Sequence, residues 1–234
     1  MQESTPRYNI YAVIHKALRA MMADALIRAG RTDWQDAADR GETLATVRGL
    51  LDFCASHLEH ENDFVHAAME ARQPGSSADG QADHRVHVNA IRDLCDQAAA
   101  VEALQGADAV RVGEALYRSL AVFVGENYEH MHFEETHNNQ VLWSRYQDHE
   151  IMAIEHAIRA SLPPQENAVV MRWMLPNVSA QERALILSDM REQAPPEVFQ
   201  GAMGLLRVHL SASDWQKAEA AVQSAGPSPL AAAA

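Results

Sequence analysis

Between residues 109 and 145 the side chains Leu116, Leu120, Phe123, Asn127, His130, Glu134, His137 and Val141 follow one another in steps of four and three. Such steps keep one face of a helix turned the same way, so the spacing predicts a helix whose seam is buried against other helices. The seam is not wholly apolar: an asparagine, two histidines and a glutamate stand where leucine or valine is expected. Burying a carboxylate is costly unless a partner or a metal ion neutralises it. Any fold for this chain has to answer that cost.

Three more stretches carry helical periodicity. From about Tyr8 to Arg28, Tyr11, Ile14, Leu18, Met22 and Ala25 form a stripe, and His15 falls among them. From about Glu42 to Arg72, Val47, Leu50, Cys54, Leu58 and Val65 repeat on the core side, and the line Leu50, Cys54, His57, Glu61, Val65 (or Phe64) brings a histidine and a glutamate inward. From about Gln81 to Leu104, His84 leads Val88, Ile91 and Cys95. A polar connection over Gly30–Gly41, the loop Gln73-Pro-Gly-Ser-Ser-Ala-Asp-Gly80 and a stop near Gly106 separate them. Long helices joined by short connections favour an all-α, antiparallel up-down four-helix bundle.

Shorter helices follow, giving the bundle additional C-terminal helices. Asp148–Ser161 is stopped by Pro163-Pro164, and Gln165–Leu175 is expected to halt at Pro176. Ser179-Ala-Gln-Glu182 is a capping-box pattern opening a helix toward Glu192; Pro195-Pro196 precedes a helix to about Leu210, and Asp214–Val222 makes a last one. The expected organisation is a bundle over residues 1–160, a helical extension over 161–223 that packs on it or forms a partner surface, and a disordered tail over 224–234.

Composition narrows the function. Lys+Arg 19 against Asp+Glu 32 leaves a formal charge of -13, which repels phosphate backbones and anionic lipid, so neither nucleic acid nor membrane is an expected partner. No stretch approaches the roughly eighteen apolar residues of a membrane span. The opening residues lack a basic segment followed by an apolar run, so no export signal is expected. Two cysteines, Cys54 and Cys95, both in helical stretches, suit free buried thiols in a reducing cytoplasm.

All four long helices thus bring histidine toward the core, and two add a carboxylate four residues later. Residues i and i+4 differ by roughly 40° around a helix and roughly 6 Å along it, so a His-x-x-x-Glu pair aims two ligands into one volume. Taken singly, a seam histidine is more often a hydrogen-bonded core residue, and one His-x-x-x-Glu is usually a surface pair. A metal-free helical interaction protein must, however, explain all four helices and two inward glutamates at once. Mixed imidazole and carboxylate ligation suits iron or manganese, with zinc also compatible.

The segments around His15 (Val-Ile-His-Lys-Ala-Leu-Arg), His57-Leu-Glu-His-Glu61, His84 opening the third helix, and His130-Met-His-Phe-Glu-Glu135 resemble the hemerythrin-like, or HHE cation-binding, family. The resemblance covers about residues 8–160, including Leu142-Trp143 and Asp148-His149-Glu150. It implies an antiparallel four-helix bundle around two iron ions (Fe2+/Fe3+) with an oxo or hydroxo bridge. It further implies His15, His57, Glu61, His84, His130 and Glu134 as ligands, with Glu61 and Glu134 bridging. His87 stands one residue short of the family's His-x-x-x-His spacing on the third helix, as an extra ligand or a supporting residue, and Glu134 replaces the His-x-x-x-x-Asp aspartate of oxygen carriers. These departures point toward the branches implicated in iron sensing and in repair of iron–sulfur or nitrosative damage.

A ferritin-like site needs Glu-x-x-His on each of two helices, whereas both copies here, Glu129…His132 and Glu134…His137, lie on one. His60 is expected to orient a ligand or hold water. His66, His132, His149 and His156 are expected at the surface, Glu135 in solvent, and His137 on the seam. The functions that follow are binding or sensing of oxygen, nitric oxide or iron, with a di-iron oxidoreductase or an iron-delivery and cluster-repair protein as the alternative. Homo-oligomerisation is left open.

Overall fold

The computed structural model describes residues 7–224, and every regular element among them is helical. Helix α1 spans Ala12–Gly30; α2 runs Ala37–His60 and continues through a π-helical segment, Glu61–His66, into Ala67–Arg72. Helix α3 spans Ala78–Glu102; α4 runs Gly106–Phe133 and continues through a second π segment, Glu134–Asn138, into Asn139–Arg145. Then come α5 (Asp148–Ser161), α6 (Pro164–Asn177), α7 (Ala180–Gln193), α8 (Pro196–His209) and α9 (Ala212–Ser224). Residues 225–234, nearly all of the tail expected to be disordered, lie outside the described residues. None of the described helices is long and apolar enough to cross a membrane.

The described residues divide into two compact units, one holding 7–9 with Leu18–Ile154, the other Ile10–Ala17 with 155–224. The boundary falls within α1.

In the first unit the core is built from Leu18, Met22 and Ala25 of α1, Val47, Leu50, Leu51, Cys54 and Leu58 of α2, Ile91, Leu94 and Val101 of α3, and Leu116, Leu120 and Phe123 of α4. Asp36 caps α2, its carboxylate accepting from the Ala38 and Asp39 amides. The Arg28 guanidinium at the end of α1 donates to Asp39 (2.6 Å), Glu42 (2.9 Å) and Thr43 (3.0 Å) at the start of α2. Met21 of α1 faces Gly49 of α2, and Gly30 of α1 faces the Tyr117 ring of α4. Arg19 of α1 pairs with Glu135 of α4 at 2.7 Å, and Tyr128 of α4 donates to the Arg19 carbonyl. Across α2 and α3, Arg48 pairs with Glu102 while His66 stacks on His84.

One close approach gives a stability test. The Trp34 ring is buried, with its carbonyl accepting from Arg40 at 2.8 Å, and a Cβ on Gly113 of α4 would come within 2.2 Å of that ring. Gly113→Ala is therefore expected to lower the melting temperature by roughly 5–10 °C, through about 2–3 kcal/mol of overpacking. Gly→Ala inside a helix ordinarily stabilises, so a thermal scan showing no loss would refute this contact.

The sequence expectation for α3 needs correction. Val88 is 51% exposed and Cys95 only half-buried. The buried line is His84, His87, Ile91, Leu94, Ala98, Val101, an unbroken three-four alternation. His84, Val88, Ile91 and Cys95 also step by four and three, but in a shifted phase: Val88 and Cys95 each follow a buried residue, His87 and Leu94, by one position and so turn about 100° away from it. The loop is also shorter than expected, because α3 takes in Ala78-Asp-Gly80.

In the second unit, Leu175, Leu187, Met190, Ala202, Leu206 and Ala218 form the core, with Phe199 and Trp215 packed on it. Ala17 packs with Met174 and Val178, and Lys16 binds Glu182 at 2.6 Å. The expected capping box opens α7: Ser179 accepts from the Glu182 amide and Glu182 from the Ser179 amide. Pro176 does not halt α6, which runs to Asn177. The carbonyls left free there are answered by the buried Arg183, which donates to Leu175 (2.8 Å), Pro176 (3.2 Å) and Val178 (2.8 Å).

Candidate metal centre

Two helices carry the same device. In α2 the Glu61 amide donates to the carbonyls of His57 and Leu58, and in α4 the Glu134 amide donates to those of His130 and Met131. At each glutamate the ladder then widens into a π segment. Such segments recur at functional sites because they seat about one more residue in a turn at some cost to the ladder.

The widening changes which side chains face inward. His137, expected on the seam, is exposed and stacked on Phe133 at 4.8 Å, while Asn138 and Asn139 are buried. His66, expected at the surface, is fully buried and stacked on His84 at 4.7 Å. His132, His149 and His156 are exposed. Glu135, expected in solvent, is half-buried against Arg19. His60 is half-buried, its ring Nδ1 3.3 Å from the Ser56 hydroxyl.

Two groups of donors come together. Glu61, His84, His130 and Glu134 each offer a ligand atom, all within 4.8 Å of one another, and so do His15, His57, Glu61 and Glu134. Glu61 and Glu134 belong to both groups, and both are buried, at 3% and 0% exposure. His15 is fully buried and half-stacked on Tyr11 one turn earlier in α1. His87 is buried edge-on to His130 at 4.7 Å and stands in neither group.

The spacings fit a shared cation. His57 Nε2 lies 3.0 Å from Glu61 Oε1, His84 Nε2 lies 3.5 Å from Glu61 Oε2 and 3.5 Å from Glu134 Oε1, and His130 Nε2 lies 3.4 Å from Glu134 Oε1. Two donors each ~2.1 Å from one ion, at roughly 90–110°, stand about 3.0–3.4 Å apart. A neutral N–H···O bond is shorter than the last three of these distances. His84 Nε2 and His130 Nε2 are accordingly buried without a hydrogen bond, a costly arrangement for bare imidazoles and the ordinary one for ligands.

Electrostatics favour the neutral imidazole that coordination requires. Burial pushes His84, His87 and His130 below the ordinary histidine range, against the pull of nearby carboxylates. Burial, with the neighbouring His84, pushes His66 down to about 4. The unfolded chain therefore binds more protons than the folded one between about pH 6.5 and the lowered folded values. The stability these neutral rings contribute is complete above about pH 6.5 and is lost as the pH falls toward 4. Denaturant titrations of the metal-free protein at pH 7.5 and 5 are expected to show that loss, His66 alone contributing on the order of 2 kcal/mol at pH 5. Equal stability at the two pH values would contradict the burial of neutral histidines.

His130 also lines an open cleft with Asp83, Val86, His87, Glu126, Glu129 and Phe133. Its Nδ1 faces Asp83 Oδ2 at 3.8 Å and its Nε2 faces Glu134, so the ring reaches from the cleft wall to the donor cluster.

The chain matches no protein-family model, no curated protein and no solved structure. Its geometry by itself defines an all-helical protein with a buried cluster of histidines and glutamates able to hold metal.

Proposed function

We propose that the chain is a hemerythrin-like di-metal protein, an antiparallel four-helix bundle that binds two iron ions and through them a small diatomic ligand, oxygen or nitric oxide. The observation that carries the reading is the pair of overlapping four-donor groups with two glutamates in common. The antiparallel bundle is supported by contacts whose numbering runs oppositely on the paired helices. Along α1 and α4 these are Gly30 with Tyr117, Arg19 with Tyr128 and Glu135, and Asn9 (just before α1) with Asn139. Along α2 and α3 they are Arg48 with Glu102 and His66 with His84.

In this reading His15 and His57 would hold one ion and His84 and His130 the other, with Glu61 and Glu134 available to both. The shared carboxylates would neutralise the cations, and the cations in turn remove the cost of burying two acids. Bound iron would supply the redox and Lewis-acid chemistry for a diatomic ligand. The chain's own part would be to keep the His84 and His130 imidazoles neutral, hold the buried Glu61 and Glu134 away from bulk water, and leave coordination positions unfilled by protein.

Anaerobic titration of the ferrous protein with oxygen and with nitric oxide, followed by charge-transfer absorption, tests the function. A stable reversible adduct is the expected result. Catalytic consumption of an electron donor would replace it with the oxidoreductase reading, and absence of any spectral change would contradict both.

A further inference from the structure

The Asn62 side chain is exposed on α2, yet its carbonyl oxygen Oδ1 reaches two buried rings on two helices. It lies 2.9 Å from Nδ1 of His84 on α3 and 3.1 Å from Nδ1 of His66, one turn along its own helix. An amide oxygen only accepts, so both rings must carry their proton on Nδ1. That fixes the lone pair of His84 on Nε2, the atom that faces Glu61 and Glu134.

The opposing pull is plain from the same geometry. Two carboxylate oxygens 3.5 Å from Nε2 would draw the proton onto that nitrogen and block it as a ligand. At 3.5 Å an N–H···O contact has lost most of its strength, whereas 2.9 Å is the usual optimum. The Asn62 bond therefore wins.

The surroundings keep His66 in place. The π segment that begins at Glu61 also contains Asn62 and His66. His66 fills the space beside His84 and reaches Gly80 of α3, where a Cβ would stand only 3.0 Å from His66 Nε2. We propose that Asn62 is a positioning residue: a tautomer clamp that holds His84 with its Nε2 lone pair turned to the metal centre. The consequence for metal affinity rests on the di-metal reading above, whereas the tautomer does not.

The test uses the full chain labelled with 15N-histidine. Long-range proton–nitrogen correlation spectra of the metal-free protein are expected to show His84 and His66 protonated at Nδ1. Asn62→Ala should shift His84 to the Nε2–H form or a mixture, and Asn62→Asp, which keeps an acceptor, should restore Nδ1–H. Zinc affinity, measured by competition with a chelator, should fall roughly 10–100-fold in Asn62→Ala and recover in Asn62→Asp. Because the residue is exposed, both variants should keep the helical circular dichroism of the parent. A wild-type His84 protonated at Nε2, or an Asn62→Ala protein with unchanged tautomer and affinity, would overturn the clamp. If the parent takes up no zinc while its tautomers are as stated, the di-metal reading fails and the clamp's hydrogen bonding stands.

Discussion

Glu134→Ala protein, loaded anaerobically with ferrous iron and freed of excess, is expected to carry at most one tightly held ion per chain where the parent carries two. Glu61→Ala should behave in the same way, because both donor groups lose a member when either glutamate goes. His84→Ala removes a donor from one group only and should leave the other ion bound. Glu135→Ala is the control. It sits beside Glu134 but pairs outward with Arg19, half in solvent, an ion pair worth no more than about 1 kcal/mol. It should retain both ions. Plasma emission counts of metal per folded chain decide the matter, and equal counts in the Glu134 and Glu135 variants would rule out the bridging assignment.

The second large effect is thermal. A ligand that binds only the folded state stabilises it by RT ln(1 + [L]/Kd), about 2.7 kcal/mol at a hundredfold excess over Kd. For a chain of 234 residues that is roughly 5–10 °C in melting temperature for each ion. Zinc or ferrous iron should therefore raise the transition by on the order of 10–20 °C when both places fill, and a chelator should reverse it. The Glu61→Ala protein should show at most half of the rise. A melting curve indifferent to metal would mean that the buried acids find their compensation within the chain.

Helix existence was readable because apolar spacing over four long stretches admits little else, and the residues of the donor cluster were readable because they interrupt that spacing on the same side. The helix ends shifted by a few residues, as with Ala78 and Asn177. What was not readable on α2 and α4 has one cause. Period counting assumes an α ladder throughout, and a local widening leaves no mark on the apolar pattern. The widening after Glu61 turned His66 inward, and that after Glu134 turned His137 out and Asn138 in. The burial of the adjacent Asn138 and Asn139 shows the widened turn in the structure, since one α-helical stripe seldom holds two neighbours. On α3 the error was one of phase, and the extended run His84, His87, Ile91, Leu94, Ala98, Val101 would have resolved it. Asn62 could not have been found from sequence, because its role depends on a ring brought from another helix.

The central claim is that two cations lie between the four long helices and share Glu61 and Glu134. Anomalous diffraction at the iron absorption edge, from crystals of protein reconstituted with ferrous iron, tests it in one map. The account predicts two peaks, one against His15 and His57 and one against His84 and His130, with both glutamates touching each. A single peak, peaks elsewhere, or none at all would contradict it.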